Sequence, residues 1–366
     1  MRAETDAKRR EDFSRRMIGI LNAGAVNLAM AIGYRTRLFD VMDEMERFAE
    51  AAEIAEAAGL DERYVREWLG VMATARVVDT KTGEGRDTRF RLPAAHGDFL
   101  TRRAGNANLG VYAREIPLLT QCAMDAVIEG FRTGDGVSYE RYPRFQAFMA
   151  ELGNAKHRQT LVDRFLPSVE GGRILGRLRD GIDVLDLGCG EGVATRLMAE
   201  AFPESRFVGI DLDGPAIEAA RSAGPVPPNL RFEVRDAARL ADDPDAAKRF
   251  DYIVAFDAIH DQTRPLNALR GVRHALRPGG RFSMVDIAAE SDIAGNLDHP
   301  MGPFLYTVSL MHCMPVGRVD GGAGLGMMWG RQRAEALLRE AGFAEISVEA
   351  IPDDPFNLHF LARRDP

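Results

Sequence analysis

The chain has 366 residues, of which 46% are hydrophobic, enough apolar material for more than one core. Its net charge of -8 and pI near 5.5 exclude a chain that wraps a polyanion through bulk charge. The three cysteines, Cys122, Cys189 and Cys313, are widely spaced with no CxxC pair, which argues for a reducing compartment and against a disulfide framework or structural zinc.

The N-terminal stretch MRAETDAKRREDFSRR is charged throughout and does not read as a signal peptide. No apolar run approaches the roughly 20 residues that span a bilayer. A cytoplasmic protein with no membrane contact is expected. MIGILNAGAVNLAMAIGYRTRLFDVM then predicts a long apolar helix with a glycine break or two, which must pack on something. FAEAAEIAEAAGL predicts a short helix ending at Gly59, and Asp61 an N-cap for the helix ERYVREWLGVMATA. VVDTKTGEGRDTRFRLP predicts two short strands around a KTGEG turn. Helix, glycine turn, helix and hairpin together make a winged helix. Three regions are expected: 1–105 as a helical, winged-helix dimerisation domain, 106–180 as a helical linker, and 181–366 as a ligand-binding domain with an insertion at about 288–330.

From about residue 181 strands alternate with helices. IDVLDL, RFVGIDL, LRFEVRD, FDYIVAF and GRFSMVDI read as strands, and VATRLMAEAF, PAIEAARSAG, PLNALRGVRHAL and RQRAEALLREAG as helices. EISVEAI and FNLHFLAR close the chain as two further β-runs. The pattern predicts an α/β class: a doubly wound, Rossmann-like parallel sheet with helices on both faces. Such sheets bind ligands at the carboxyl ends of their strands, near the switch in strand order.

The stretch VLDLGCGEG defines the ligand. A dinucleotide fingerprint would place its third glycine where Val193 stands. Asp186, just before the first glycine, would repel a phosphate and suits an amino group. Gly188 and Gly190 let the backbone approach the ligand. Asp211 ends the second strand, where a carboxylate binds two ribose hydroxyls. Asp236 follows the third strand and can accept from an adenine amino group. Carboxylates for a ribose, an adenine and an ammonium, with nothing basic for phosphate, give the profile of S-adenosylmethionine.

LDLGCGEG, IDLD, RDA and FDYIVAFDAIHD in that order resemble the class I S-adenosylmethionine-dependent methyltransferases over about residues 140–366. The winged helix is similar to the dimerisation domain of bacterial small-molecule O-methyltransferases. The resemblance implies seven strands with the last antiparallel, S-adenosylmethionine as cofactor and a small-molecule acceptor. It also implies a homodimer through the N-terminal domain. By position it places Leu212 beside adenine, Asp236 and Ala237 at the adenine edge, and Phe256 and Asp257 where the donated methyl faces the acceptor. It makes YERYPRF a segment over the cofactor, against an equal reading as a packing cluster between domains.

Transfer of a methyl group to a hydroxyl or thiol is helped by a base. His260 in DAIHD, beside Asp261 and three residues after Asp257, is the first candidate, against a plain helix-capping role. His312 in LMHCMPVG is the second, against a packed core histidine; His299 ranks below both. Tyr142, Phe145, Met311 and Trp329 are read with Asp261 as the substrate pocket, and GGAGLGMMWG as a lid on glycine hinges or a plain flexible loop. Cys189 reads as a small residue tolerated in the loop. No metal is expected, since nothing in the spacing of Asp257, Asp286 and Asp292 compels one.

Two rival readings are weighed. A regulator that senses S-adenosylmethionine would use the winged helix on DNA, but Asp61, Glu62 and Glu67 offset Arg63 and Arg66 on the helix that would read bases, so nucleic-acid binding is not expected. A protein or RNA methyltransferase would need a basic face, which the chain lacks.

Overall fold

A computed structural model describes residues 2–82 and 88–366, in two compact units, 1–118 and 119–366. The first unit opens with α1 (Arg2–Arg35), followed by α2 (Leu38–Met45), α3 (Ala51–Ala58) and α4 (Glu62–Thr74). Gly59 ends α3 in the left-handed region at φ 64°, and Asp61 caps α4 by accepting from the backbone N–H of Arg63 and Tyr64 at 3.0 and 3.3 Å. Strands β1 (Asp79–Thr82) and β2 (Thr88–Arg91) pair antiparallel as the wing. The tip of the predicted KTGEG turn, from Gly83 on, lies outside the described residues.

Helix α1 runs unbroken through Gly19, Gly24 and Gly33; the break comes instead at Arg37, a left-handed residue at φ 63°. Gly33 is needed for contact, not flexibility. A Cβ there would collide with the Trp68 ring, whose Nε1–H donates to Ala29 O at 2.8 Å. The stripe Ile18, Leu21, Leu28 and Ile32 on α1 is exposed, Leu21 by 67%. By length and composition the helix Asp6–Arg35 is apolar enough to cross a membrane, which corrects the reading that no segment is; the core helix of a soluble protein and a signal sequence pass the same test.

The second unit holds a seven-stranded sheet of β3 (Asp183–Leu187), β4 (Arg206–Asp211), β5 (Leu230–Val234), β6 (Phe250–Phe256), β7 (Leu276–Ile287), β8 (Glu345–Ile351) and β9 (Asp354–Arg363). The order is β5-β4-β3-β6-β7-β9-β8, parallel except for β9, which runs antiparallel to both neighbours. Side chains alternate faces along each strand. Leu185, Ile253, Phe282 and Met284 meet helices Pro265–Ala275 and Arg331–Glu340 on one face. Val184, Phe207, Val254 and Val285 meet helices Arg173–Asp180, Val193–Ala201 and Gly214–Ser222 on the other. The helices after β3 and β6 therefore leave the sheet on opposite faces, and the crevice between these strands opens at their carboxyl ends. Two single π turns, Leu161–Phe165 and Ser309–Cys313, interrupt helices near that end.

Gly33→Ala should lower stability by about 1–3 kcal/mol through overpacking against Trp68. Gly19→Ala, where nothing stands within 4 Å, should raise it by about 0.5–1 kcal/mol. Urea unfolding of the two variants checks the contrast, and equal shifts would refute the close approach of α1 and α4.

Candidate active site

The glycine loop turns through three left-handed glycines, Gly188 (φ 74°), Gly190 (φ 52°) and Gly192 (φ 72°). At Gly188 a Cβ would stand 2.5 Å from Ala258 Cβ, so glycine lets the two loops at the crevice touch. Gly190 faces open space, and its N–H donates to Asp211 Oδ2 at 2.8 Å. Asp211 Oδ1 accepts from the Asp213 N–H at 2.9 Å, so this carboxylate is held between the two turns. Asp186 is 1% exposed and accepts from Thr195 Oγ1 at 2.6 Å. Burial first, then Asp211, outweighs that bond and pushes its carboxyl up to about 7. A raised carboxyl favours the folded state below its unfolded value of about 3.8, and this contribution is lost as pH rises through about 7.

A groove of about 360 Å³ runs along this loop. Asp186, Gly188, Gly190, Glu191, Asp213 and Phe256 line one side. Tyr139 and helix Pro143–Thr160 line the other, tied to the loop by Asn154 Nδ2 donating to Glu191 Oε2 at 3.2 Å. Among the described residues no Lys or Arg lines it. His157 lines it too, packed 4.9 Å from the Phe256 ring, and burial with Lys156 alongside pushes it down to about 4, so it is neutral. The groove offers carboxylates, a neutral ring and glycine backbone, which fits a ligand with an ammonium and hydroxyl groups and no phosphate.

His260 lies past the end of β6, after Asp257, which takes a left-handed φ of 49° while its N–H donates to Val285 O at 2.9 Å. The imidazole is 3% exposed. Its Nδ1–H donates to Asp286 Oδ1 at 2.8 Å, and its Nε2 faces Asp261 Oδ1 at 3.5 Å. Burial opposes its charge, yet Asp286 and Asp261 together hold it well above the ordinary histidine value. The stabilisation from this raised value is complete below the unfolded value of about 6.5 and is lost as pH rises through the folded one. His260 thus neither caps a helix nor meets backbone; it is a histidine oriented by a buried carboxylate.

His312 sits in the second π turn, its ring 4.6 Å from Phe145, 4.8 Å from Tyr142 and 5.8 Å from Tyr139. Burial holds it below the ordinary value, and its Nε2 is buried without a partner. Tyr142 is fully buried and its hydroxyl donates to Met311 O at 2.8 Å. Burial, reinforced by Asp261, pushes the adjoining Cys313 thiol up to about 12. Tyr142, Phe145, Met311 and His312 thus come together.

Other expected residues fall elsewhere. Leu212 is 71% exposed, Asp236 caps its own turn through the Ala238 N–H at 2.8 Å, and Ala237 packs into the core; none lines the groove. Trp329 is packed with Leu325 and Ala334 in the core against the sheet. The stretch from Leu325 to Gly330 is buried, not a surface lid, because Gly326 and Gly330 bring it against Ser309 and Glu290, where a Cβ would collide. His299 is tied to its loop through Ala288 O at 3.1 Å. Asp286 as the partner of His260 was missed, although it closes the buried run RFSMVDI at a carboxyl end, the one signal for it in sequence.

Residues 24–102 match the model of the Rv2258c-like winged HTH domain, and residues 178–302 that of a methyltransferase domain. Over 97 residues the chain is 30% identical to malonyl-acyl-carrier protein O-methyltransferase of Halalkalibacterium halodurans, covering 26% of this chain and 36% of that protein. Over 188 residues it is 28% identical to a Mycolicibacterium smegmatis protein described as "Probable S-adenosylmethionine-dependent methyltransferase", covering 50% and 70%. The chain thus spans about a third of the first relative and more than two thirds of the second. Human N-acetylserotonin methyltransferase, solved in complex with SAM, shares the fold with a TM-score of 0.67 at 16% identity, over 96% of this chain and 98% of that one. The chain thus carries a winged helix-turn-helix domain followed in sequence by a methyltransferase domain, and it is similar to S-adenosylmethionine-dependent methyltransferases.

Proposed function

We propose that this methyltransferase moves a methyl group to a hydroxyl of a small apolar or aromatic metabolite, with His260 as general base. The observation that carries the reading is the buried His260–Asp286 pair at the carboxyl ends of β6 and β7. Bound S-adenosylmethionine would supply an electrophilic methyl. Asp186 would meet the ammonium, Gly188 and Gly190 the methionine backbone, and Asp211 the ribose hydroxyls. Asp236, Ala237 and Leu212 stand off the groove and would meet adenine only at its outer end. Asp286 fixes the tautomer of His260 so that Nε2 takes the acceptor proton, and Asp286 and Asp261 stabilise the imidazolium that results. The ring cluster of Tyr142, Phe145 and neutral His312 favours an apolar, flat acceptor. Holding acceptor oxygen and methyl in line supplies much of the rate. The first relative is named an O-methyltransferase, which supports oxygen as the acceptor atom.

The exposed stripe of α1 supports a homodimer, in which two copies bury Ile18, Leu21, Leu28 and Ile32 against each other. The regulator reading has less support, because Arg63 and Arg66 of α4 are both spent in ion pairs with Glu67 and Glu62.

Asp211→Ala should weaken S-adenosylmethionine about 10–100-fold in calorimetry, and wild-type binding should release close to one proton at about pH 6, fading above about pH 8, as the ammonium lowers Asp186. Heats that do not depend on the buffer would remove the ammonium from Asp186. His260→Ala should cut methyl transfer about 10²–10⁴-fold with cofactor binding intact. The wild-type rate should climb with pH as the imidazolium loses its proton. Asp286→Asn should shift that limb to lower pH and lower the plateau; an unmoved limb would deny His260 the role. Ile18→Glu with Leu21→Glu should halve the mass seen by light scattering, and a wild-type monomer would end the dimer reading.

A further inference from the structure

His260 spends Nδ1 on Asp286, leaving Nε2 turned toward two other side chains. Asp261 Oδ1 stands 3.5 Å from it and is buried without a hydrogen-bond partner. Cys313, brought in by the π turn Ser309–Cys313, completes a group whose nitrogen, oxygen and sulfur all lie within 4.8 Å of one another. Among the described residues no other three histidine, cysteine or carboxylate side chains converge in this way.

Around a tetrahedral ion with N and O ligands at about 2.0–2.1 Å and S at about 2.3 Å, ligand atoms stand roughly 3.3–3.7 Å apart. His260 and Asp261 already have that separation, and Cys313 Sγ lies within 4.8 Å of both. The support behind the ligand is also in place. A histidine that binds a metal through one nitrogen commonly donates its other N–H to a carboxylate, which fixes the ring, and Asp286 at 2.8 Å does this. Three protein ligands leave a fourth position for water. Asp261, with 22% of its side chain exposed, is the way in, since His260 and Cys313 are buried.

We propose that His260 Nε2, Asp261 and Cys313 Sγ form a binding site for a borderline divalent transition-metal ion such as Zn²⁺. Imidazole with thiolate selects such ions over Mg²⁺ and Ca²⁺, which take oxygen ligands. On binding, the sulfur–hydrogen bond breaks, the proton leaves to solvent and the thiolate bonds the ion. The ion and the acceptor's proton use the same Nε2 lone pair, so the metal-loaded chain has no base. That consequence alone rests on the proposed function; the binding does not.

Co²⁺ titration of the full chain with its thiols reduced tests the site. One equivalent should give intense visible bands of a tetrahedral ion and a near-ultraviolet thiolate-to-cobalt band. Zn²⁺ should erase both, and millimolar Mg²⁺ neither. Cys313→Ser should lose the thiolate band, and Asp286→Asn should weaken the ion about 10–100-fold. A wild-type chain without the thiolate band overturns the site whatever the variants do. A band that survives Cys313→Ser, and so comes from Cys122 or Cys189, overturns it as well. Retained S-adenosylmethionine binding marks each variant as folded. Metal bound without methyl transfer in any condition would sink the enzyme reading and leave this one; transfer unaffected by saturating Zn²⁺ would remove only the loss of the base.

Discussion

Everything at the site depends on the reversal of strand order between β3 and β6. Because the helices that follow these strands leave on opposite faces, the sheet opens at that point. The glycine loop after β3 and the DAIHD turn after β6 are then thrown together, close enough that only glycine fits at 188 against Ala258. The groove lies beside this contact, and His260 follows Ala258 in the turn after β6.

The crevice is lined with buried acid. Asp186 and Asp286 each lie at most 1% exposed at the end of a strand, and Asp211 is gripped by two backbone N–H groups. Such carboxylates are costly to bury unless something positive answers them. For Asp286 the answer is internal, the imidazole of His260. For Asp186 the protein supplies only the Thr195 hydroxyl, and its carboxyl is pushed up to about 7. The asymmetry separates the two carboxylates: Asp286 is paired with an imidazole, and Asp186 has a hydroxyl for its neighbour. Acid, imidazole and thiol also converge at His260, Asp261 and Cys313.

Much of this was legible in the sequence. Every strand and helix of the sheet follows from runs of apolar residues punctuated by glycine and proline, and Asp61 and Gly59 mark helix ends by elementary capping chemistry. Asp186, the glycines and Asp211 could be placed because strand ends put them in one crevice by topology alone. Gly33 and Gly326 misled, since a glycine in sequence cannot say whether it bends the chain or lets another group come close. Trp329 misled in the same way, because an aromatic residue among glycines suits a pocket wall and a packed core equally.

The sequence by itself determined the order of elements, the carboxylates at strand ends and the type of ligand they suit, because those are matters of period and local chemistry. Only the tertiary structure decided which groups met across long loops. The pairing of His260 with Asp286 depends on the register of β6 on β7. The arrival of Cys313 and His312 beside them depends on a π turn that no local pattern announces. Side chains far apart in the chain meet only where packing of the whole domain puts them, and it is there that His260 finds Asp286.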